Sequence, residues 1–305
     1  MRIMRAQKKK IEKIQGQSAV TSEKQRLLGN IFKIQYSIVS NVLRKYHGDS
    51  KAIHLDINAG SGKDSDGNHG SPLVFLDVLK NIKMYSAVQC FFVEQNKILH
   101  SQLEKAVNEH VTAIKYICKP KILMGDNKVV LPEIASLCTP ENDSWTPYFG
   151  TLYHDPNGRL DVDLIVKFSE LKQFERVDIL INVNTVIIKR LLRCNGKGME
   201  KHTHNLTQII KKINRKQFII RTPLQAKNKK GTWGFCFLLC SNWVNYPTWE
   251  KEKFFYLDSK EGQAILFSVN YTAKQKQEMN DVQSIEYKHI FDRLMNENTG
   301  QLGLL

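Results

Sequence analysis

Apolar residues set the first divisions of the chain. Between Ser22 and Tyr46, Leu27, Leu28, Ile31, Ile34, Ile38, Val42 and Leu43 recur at helical spacing, so this stretch predicts a helix with one buried face. Ser22 stands where a cap would start it, and His47-Gly48-Asp49 ends it. Beyond lie short apolar runs that predict strands over 52–57, 88–93, 121–124, 148–154, 177–183, 217–221 and 233–240. Helical stretches separate them, over 71–81, 97–107, 128–137, 160–171, 184–194 and 205–213. Such alternation is the pattern of an α/β fold, in which crossover helices cover a parallel sheet. No helix fits between the last two strands, only the basic loop 223–231, so they are expected to pair antiparallel at the sheet edge. The expectation is a seven-stranded, mostly parallel sheet with an antiparallel edge strand.

With 305 residues the chain can bury a sizeable core without disulfides or metal. No apolar run approaches the roughly 18 residues of a membrane span. The basic start, residues 1–17, lacks the apolar stretch and small-residue cleavage site of a secretory signal, so a cytoplasmic protein is expected. Residues 1–21 read as a basic arm, 22–241 as the main domain and 242–305 as an extension. The extension opens with Trp243, Trp249, Phe254, Phe255 and Tyr256 and continues as a polar helical tail over 271–298. None of the six cysteines lies in a CxxC pair, and no metal is expected. Cys236 and Cys240 flank Phe-Leu-Leu and should face one side of a buried strand. His202 and His204 are near neighbours, but in a lysine-rich stretch they read as surface residues.

Charge adds a partner. The net charge is +15, and between residues 186 and 230 thirteen lysines and arginines face one acid, Glu200. A segment of that kind is either a solvated lysine-rich face or a surface for phosphates, and the second is favoured. Lys189, Arg190, Arg193, Lys227, Lys229 and Lys230 are the candidate contacts to nucleic acid, DNA before RNA, and no membrane partner is expected.

The candidate chemistry lies at the strand ends. The first strand breaks into Asn58-Ala59-Gly60-Ser61-Gly62, where glycines let the backbone pass close to a cofactor's carboxypropyl or phosphate group. The second ends in Glu94, where a Rossmann-like sheet accepts ribose hydroxyls. Its distance from the glycines is longer than usual, and the inserted loop Lys63-Asp-Ser-Asp-Gly-Asn-His69 accounts for the excess. The third ends in Gly125-Asp126-Asn127, an acid placed to accept from an adenine amino group. The fourth ends in Asp155-Pro156-Asn157-Gly158, which resembles the (Asp/Asn)-Pro-Pro-aromatic motif of amino-methylating enzymes. That motif orients a target nitrogen by hydrogen bonds, so positioning supplies most of the catalysis. Asn157 stands in place of the second proline and Gly158 in place of the stacking aromatic. Tyr153, His154, Trp233 and Phe235 are substitutes for that aromatic, each more readily explained by packing.

Taken together, Leu55-Asp56-Ile57-Asn58-Ala59-Gly60-Ser61-Gly62, Gly70-Ser71-Pro72-Leu73, Phe92-Val93-Glu94 and His154-Asp155-Pro156-Asn157-Gly158 resemble the three-Cys-motif partner proteins. The resemblance covers about residues 22–158, and Gly-Ser-Pro-Leu is its most specific part. It implies the Rossmann-like fold of class I methyltransferases, S-adenosylmethionine as cofactor, and a mobile-element or defence setting. By matching motif positions it places Asp56, Ala59, Gly60 and Gly62 at the methionine end of the cofactor, Glu94 at the ribose, Asp126 at the adenine, and Asp155 with Pro156 at the methyl acceptor. Asn58, where the family usually has an aromatic residue, and Asn127 are further candidates for the cofactor, and Asn157 for the acceptor. Gly70, Ser71 and Pro72 would shape the lid or start the first crossover helix. The cysteines in the family's name belong to its partner.

The leading expectation is an S-adenosylmethionine-dependent methyltransferase of nucleic acid, acting on the N6 amine of adenine in DNA. The alternative is a nucleic-acid-binding module with a degenerate Rossmann core. An NAD-dependent oxidoreductase is weaker, because the turn lacks a full GxGxxG and an Asp-Pro strand end has no part in hydride transfer.

Overall fold

A computed structural model describes residues 19–46, 50–64, 66–139, 147–156, 160–185, 188, 206–228, 231–271 and 273–302. They belong to two compact units, Met1–Leu137 and Cys138–Leu305.

The first unit opens with helix α1 (Ala19–Lys45), so Ser22 lies inside the helix and does not cap it. Its buried stripe is Leu27, Leu28, Ile31, Phe32, Tyr36, Val39 and Leu43, whereas Ile34, Ile38 and Val42 are half-buried. Two aromatic residues therefore turn the face by part of a turn relative to a reading that counts aliphatics alone. Next come β1 (Lys51–Asp56), α2 (Ser71–Asn81), β2 (Val88–Glu94), α3 (Lys97–Val111), β3 (Lys121–Met124) and α4 (Asn127–Leu137). The strands pair in parallel in the order β3-β2-β1, in register from Ala52 opposite Val88 to Asp56 opposite Phe92, and from Phe91 opposite Lys121 to Glu94 opposite Met124. Ala52 to Asp56 are all buried, as strands covered on both faces by crossover helices require.

Helix α1 is fixed by an aromatic cluster. The His54 ring stacks on Phe75 at 3.6 Å, and Phe32 meets both rings edge-on at 5.1 and 5.5 Å. The Tyr36 hydroxyl donates to the Ile53 carbonyl at 2.8 Å and lies 3.0 Å from His54 Nδ1. Burial lowers the His54 pKa to about 3, so its imidazole is neutral.

The second unit contains β4 (Tyr148–His154), α5 (Val162–Glu170), a 3-10 turn (Lys172–Phe174), β5 (Val177–Asn184), α6 (Leu206–Ile210), β6 (Gln217–Arg221), β7 (Leu224–Asn228) and β8 (Gly231–Ser241). It continues through α7 (Tyr246–Glu250), β9 (Phe254–Tyr256), α8 (Lys260–Asn270), α9 (Ala273–Glu278) and α10 (Val282–Leu302). Strands β4 and β5 are parallel; β8 pairs antiparallel with β5 on one side and with β6 on the other, and β9 closes the edge against β6. The last two expected strands do pair antiparallel, as β6 and β8, and the sheet ends on a further antiparallel strand, β9. The expected basic loop is also a strand. Residues 224–228 pair with 231–235 of β8, on the same side as β6, and Pro223 breaks what would otherwise be one long strand. Nine strands are therefore present among the described residues, against seven expected. The fold class is the expected one, α/β and Rossmann-like. The predicted helix over 184–194 lies mostly outside the described residues.

Arg215 holds one corner of this unit. Its guanidinium donates to the carbonyls of Ser169, Phe174 and Val177 at 2.9 Å each and to that of Asn214 at 2.7 Å. Those of Ser169 and Phe174 are carbonyls left open where α5 and the 3-10 turn end. Arg221 is also buried and donates to the Thr222 carbonyl. Two arginines counted in the basic segment are thus structural, while Lys211, Lys212 and Lys216 are exposed. Cys236 and Cys240 are both buried on β8, as expected. No helix among the described residues is long and apolar enough to cross a membrane.

Candidate functional site

In the first unit the strand-end residues form one hydrogen-bonded rim. Where β1 runs out, Asp56 Oδ1 accepts the Asn58 N–H at 3.1 Å, and the Ala59 N–H donates to the Val93 carbonyl at 3.0 Å. Gly60 and Gly62 then adopt φ of +64° and +76°, a region where a Cβ is strained. Gly62 is additionally pressed against α3, where a Cβ would lie 3.2 Å from Leu103 Cδ1 and 3.3 Å from Ala106 Cβ. Its carbonyl accepts the Gly70 N–H at 2.7 Å, and Gly70 with Pro72 opens α2.

Glu94 joins this turn to the next elements. One carboxylate oxygen, Oε2, accepts the Gly60 N–H at 3.0 Å; the other, Oε1, accepts the Asn96 N–H at 2.7 Å. Asn96 in turn caps α3 through Ile98 N and Leu99 N. The Glu94 carbonyl accepts the Gly125 N–H at 3.2 Å, which ties the end of β3 to the end of β2. Asp126 caps α4, with Oδ1 accepting the Lys128 N–H at 2.8 Å, and it is exposed; Asn127 is half-buried as the first residue of that helix. Asp56, Asn58, Ala59, Gly60, Gly62, Glu94, Asp126 and Asn127 thus stand on one edge of this unit's sheet, at the C-terminal ends of parallel strands. Open α/β sheets bind ligands at that edge.

Three exposed apolar residues belong to the same rim. Ile98, Met124 and Val129 are 57%, 55% and 62% exposed, each within four residues of Glu94 or Asp126. Sequence reasoning passed over them because an apolar residue in a helix or strand reads as core by default.

In the second unit the carboxylate of Asp155 is gripped from two sides. Tyr153, buried on β4, donates its hydroxyl to Oδ2 at 3.1 Å, and Asn182 of β5 donates Nδ2 to Oδ1 at 2.6 Å. His154 pairs with Ile181 in the parallel register, which brings Asn182 alongside Asp155. Burial lowers the His154 pKa to about 4, while Asp155 and Asp161 act to raise it, so this imidazole is neutral near pH 7. Pro156 is half-buried; Asn157 lies outside the described residues. Asn182 escaped the sequence reading, although an amide between Ile181 and Val183, within the apolar run from Ile179 to Val183, is a signal for it. Tyr153, His154 and Phe235 are all buried, as packing explains better than stacking; the side chain of Trp233 lies outside the described part. Lys189, Arg190, Arg193, Lys229 and Lys230 are also outside it, and Lys227 is known only as a β7 position opposite Thr232.

No protein-family model matches the chain, and no curated protein matches it in sequence. Among solved structures it is similar to the O-methyltransferase TomG of Streptomyces achromogenes in complex with SAM, with 12% identity, 74% of this chain and 82% of that one covered, and a TM-score of 0.42. An O-methyltransferase from Bacillus cereus in complex with SAH gives 12% identity, coverages of 74% and 83%, and a TM-score of 0.42. A tRNA (m1A22) methyltransferase, so described, from Streptococcus pneumoniae gives 10%, coverages of 84% and 94%, and 0.32. A likeness of this order concerns the fold alone.

Proposed function

We propose that the chain is an S-adenosylmethionine-dependent methyltransferase of the three-Cys-motif partner type that methylates an exocyclic amine of nucleic acid, adenine N6 in DNA first. The observation that carries the cofactor half is the Glu94 carboxylate, held by the Gly60 and Asn96 N–H groups at the end of β2. Backbone donors fix its position and leave lone pairs for two ribose hydroxyls. The left-handed turn at Gly60 and Gly62 admits the methionine end with Asp56 and Asn58 beside it, and Asp126 meets the adenine amino group. Ile98, Met124 and Val129 supply the apolar walls that a planar ring needs. The cofactor supplies an electrophilic methyl group when bound.

Asp155 and the Pro156 carbonyl would accept hydrogen bonds from the amine and turn its lone pair toward that methyl. The grip of Tyr153 and Asn182 makes this acceptor rigid before substrate arrives, which is how positioning lowers a barrier. The amine proton then leaves to solvent. The basic segment supports a polyanionic substrate. A second reading, a nucleic-acid-binding module without transferase activity, is favoured by Asn157 and Gly158, which provide no stacking ring.

The test is label transfer from tritiated S-adenosylmethionine to duplex DNA, single-stranded DNA and RNA, with an Asp155→Ala variant alongside. Label in duplex or single-stranded DNA that is lost in the variant supports the proposal, and label confined to RNA moves the substrate. Calorimetry showing no cofactor binding, together with no label in any substrate, refutes the enzyme and leaves the binding module.

A further inference from the structure

We propose that the chain carries a transition-metal site, formed by His69, Asp77 and His110, that accepts a zinc-like divalent ion. The site lies wholly in the first unit and is independent of the methyltransferase reading. His69 Nδ1 is 2.6 Å from Asp77 Oδ2, and His110 Nε2 is 2.7 Å from Asp77 Oδ1. The two imidazoles are 5.1 Å apart and stand at 89° to one another. One ligand atom from each residue can be chosen so that all three lie within 4.8 Å of one another.

The donor set is the first argument. Two imidazole nitrogens and one carboxylate oxygen suit zinc and its neighbours, which bind such ligands at about 2.0–2.2 Å. Around a tetrahedral ion those atoms stand about 3.3 Å apart. The present N···O contacts, one to each oxygen of Asp77, are shorter, as direct hydrogen bonds are, and side-chain rotation would have to exchange them for an ion. Side-chain exposures of 35% for His69, 41% for Asp77 and 22% for His110 leave a fourth position to water.

The second argument is how firmly His69 is presented. The inserted loop before it is organised around Asp64, whose Oδ1 accepts from Asp66 N at 2.9 Å and Asn68 N at 2.8 Å, and whose Oδ2 accepts from Asn68 Nδ2 at 2.9 Å. Gly67 takes a φ of +82° to make the turn, and Lys63 and His69 form an isolated antiparallel bridge. Asp77 is the one acid of α2, and His110 lies in the last turn of α3. An ion would therefore join an inserted loop and two helices. The loop departs from Gly62, and α3 is the helix against which Gly62 packs, so the ion would clamp both supports of the glycine turn.

The experiment uses the full chain, stripped with a chelator and titrated with Co2+. Expected are about one equivalent bound, visible d–d absorption of a four- or five-coordinate N/O site, displacement by Zn2+, and a higher melting temperature with metal. His110→Ala and Asp77→Asn should each weaken Co2+ binding at least about tenfold. Their melting temperatures in chelator serve as the check on folding. A His202→Ala/His204→Ala variant should bind as the parent does. The proposal is overturned if the parent binds no Co2+, or if binding survives both His110→Ala and Asp77→Asn. Loss on changing His202 and His204 alone would overturn it equally.

Discussion

Replacing Gly60 and Gly62 separately by alanine isolates two physical effects at the strand-end rim of the first unit. Both residues have positive φ, so each alanine carries the left-handed penalty of about 1–2 kcal/mol. Around a Cβ on Gly60 nothing lies within 4 Å, and the penalty should end there. A Cβ on Gly62 would sit 3.2 Å from Leu103 Cδ1 and 3.3 Å from Ala106 Cβ, closer than ordinary van der Waals contact. Both neighbours are buried on α3, so relief requires the helix or the turn to shift, an overpacking cost of about 1–3 kcal/mol. Gly62→Ala should thus destabilise by about 2–5 kcal/mol and Gly60→Ala by about 1–2 kcal/mol. Urea unfolding of the intact chain, followed by far-UV circular dichroism, measures both. Equal losses would show that the α3 contact does not constrain the turn, and no loss at Gly60 would show that the left-handed conformation is not adopted.

Three further outcomes are expected. Arg215→Met leaves the carbonyls of Ser169, Phe174 and Val177 without their donor, and should cost about 3–5 kcal/mol in a urea titration, with Arg215→Lys recovering only part. Asn182→Ala removes one of the donors that hold Asp155, and should lower kcat for the proposed methyl transfer about tenfold or more with little change in cofactor affinity; an unchanged kcat would refute its positioning role. His54 has a folded pKa of about 3 against an ordinary 6.5, so below pH 6.5 the unfolded chain takes up a proton that the folded chain does not. Stability should fall as pH drops from 6.5 toward 3, by about 2 kcal/mol at pH 5 from this residue alone, and His54→Phe should flatten that part of the curve in urea titrations at pH 7 and 5.

The sheet was legible because buried strands are runs of apolar residues. Lys121–Met124, Tyr148–His154 and Gln217–Arg221 match the expected bounds, and the other expected strands differ by one or two residues at an end. Strand β7 escaped because Leu-Gln-Ala-Lys-Asn has one strongly apolar residue and takes its order from pairing with β8. The interior place of β8 is a property of pairing, which periodicity does not carry. Acids at the ends of apolar runs made Glu94 and Asp126 readable, since the rim of a parallel sheet coincides with those ends. The roles of Arg215 and Arg221 were not readable: a basic residue inside a basic stretch looks like surface until distant partners close over it, as those of Arg215 do from 41 and 46 residues away. His69, Asp77 and His110 are likewise invisible as a set, because the first pair spans eight residues and the second 33.

The stack of Tyr36, His54 and Phe75 also sets an order of events during synthesis. Helix α1 leaves the ribosome before its aromatic partner on α2, because Phe75 follows Tyr36 by 39 residues. At about 5–20 residues per second the helix waits roughly 2–8 s with its apolar stripe uncovered. For that interval the nascent chain presents Phe32, Tyr36 and their aliphatic neighbours to whatever binds exposed amphipathic helices, and shortening α1 would alter the load on chaperones before it altered the finished sheet.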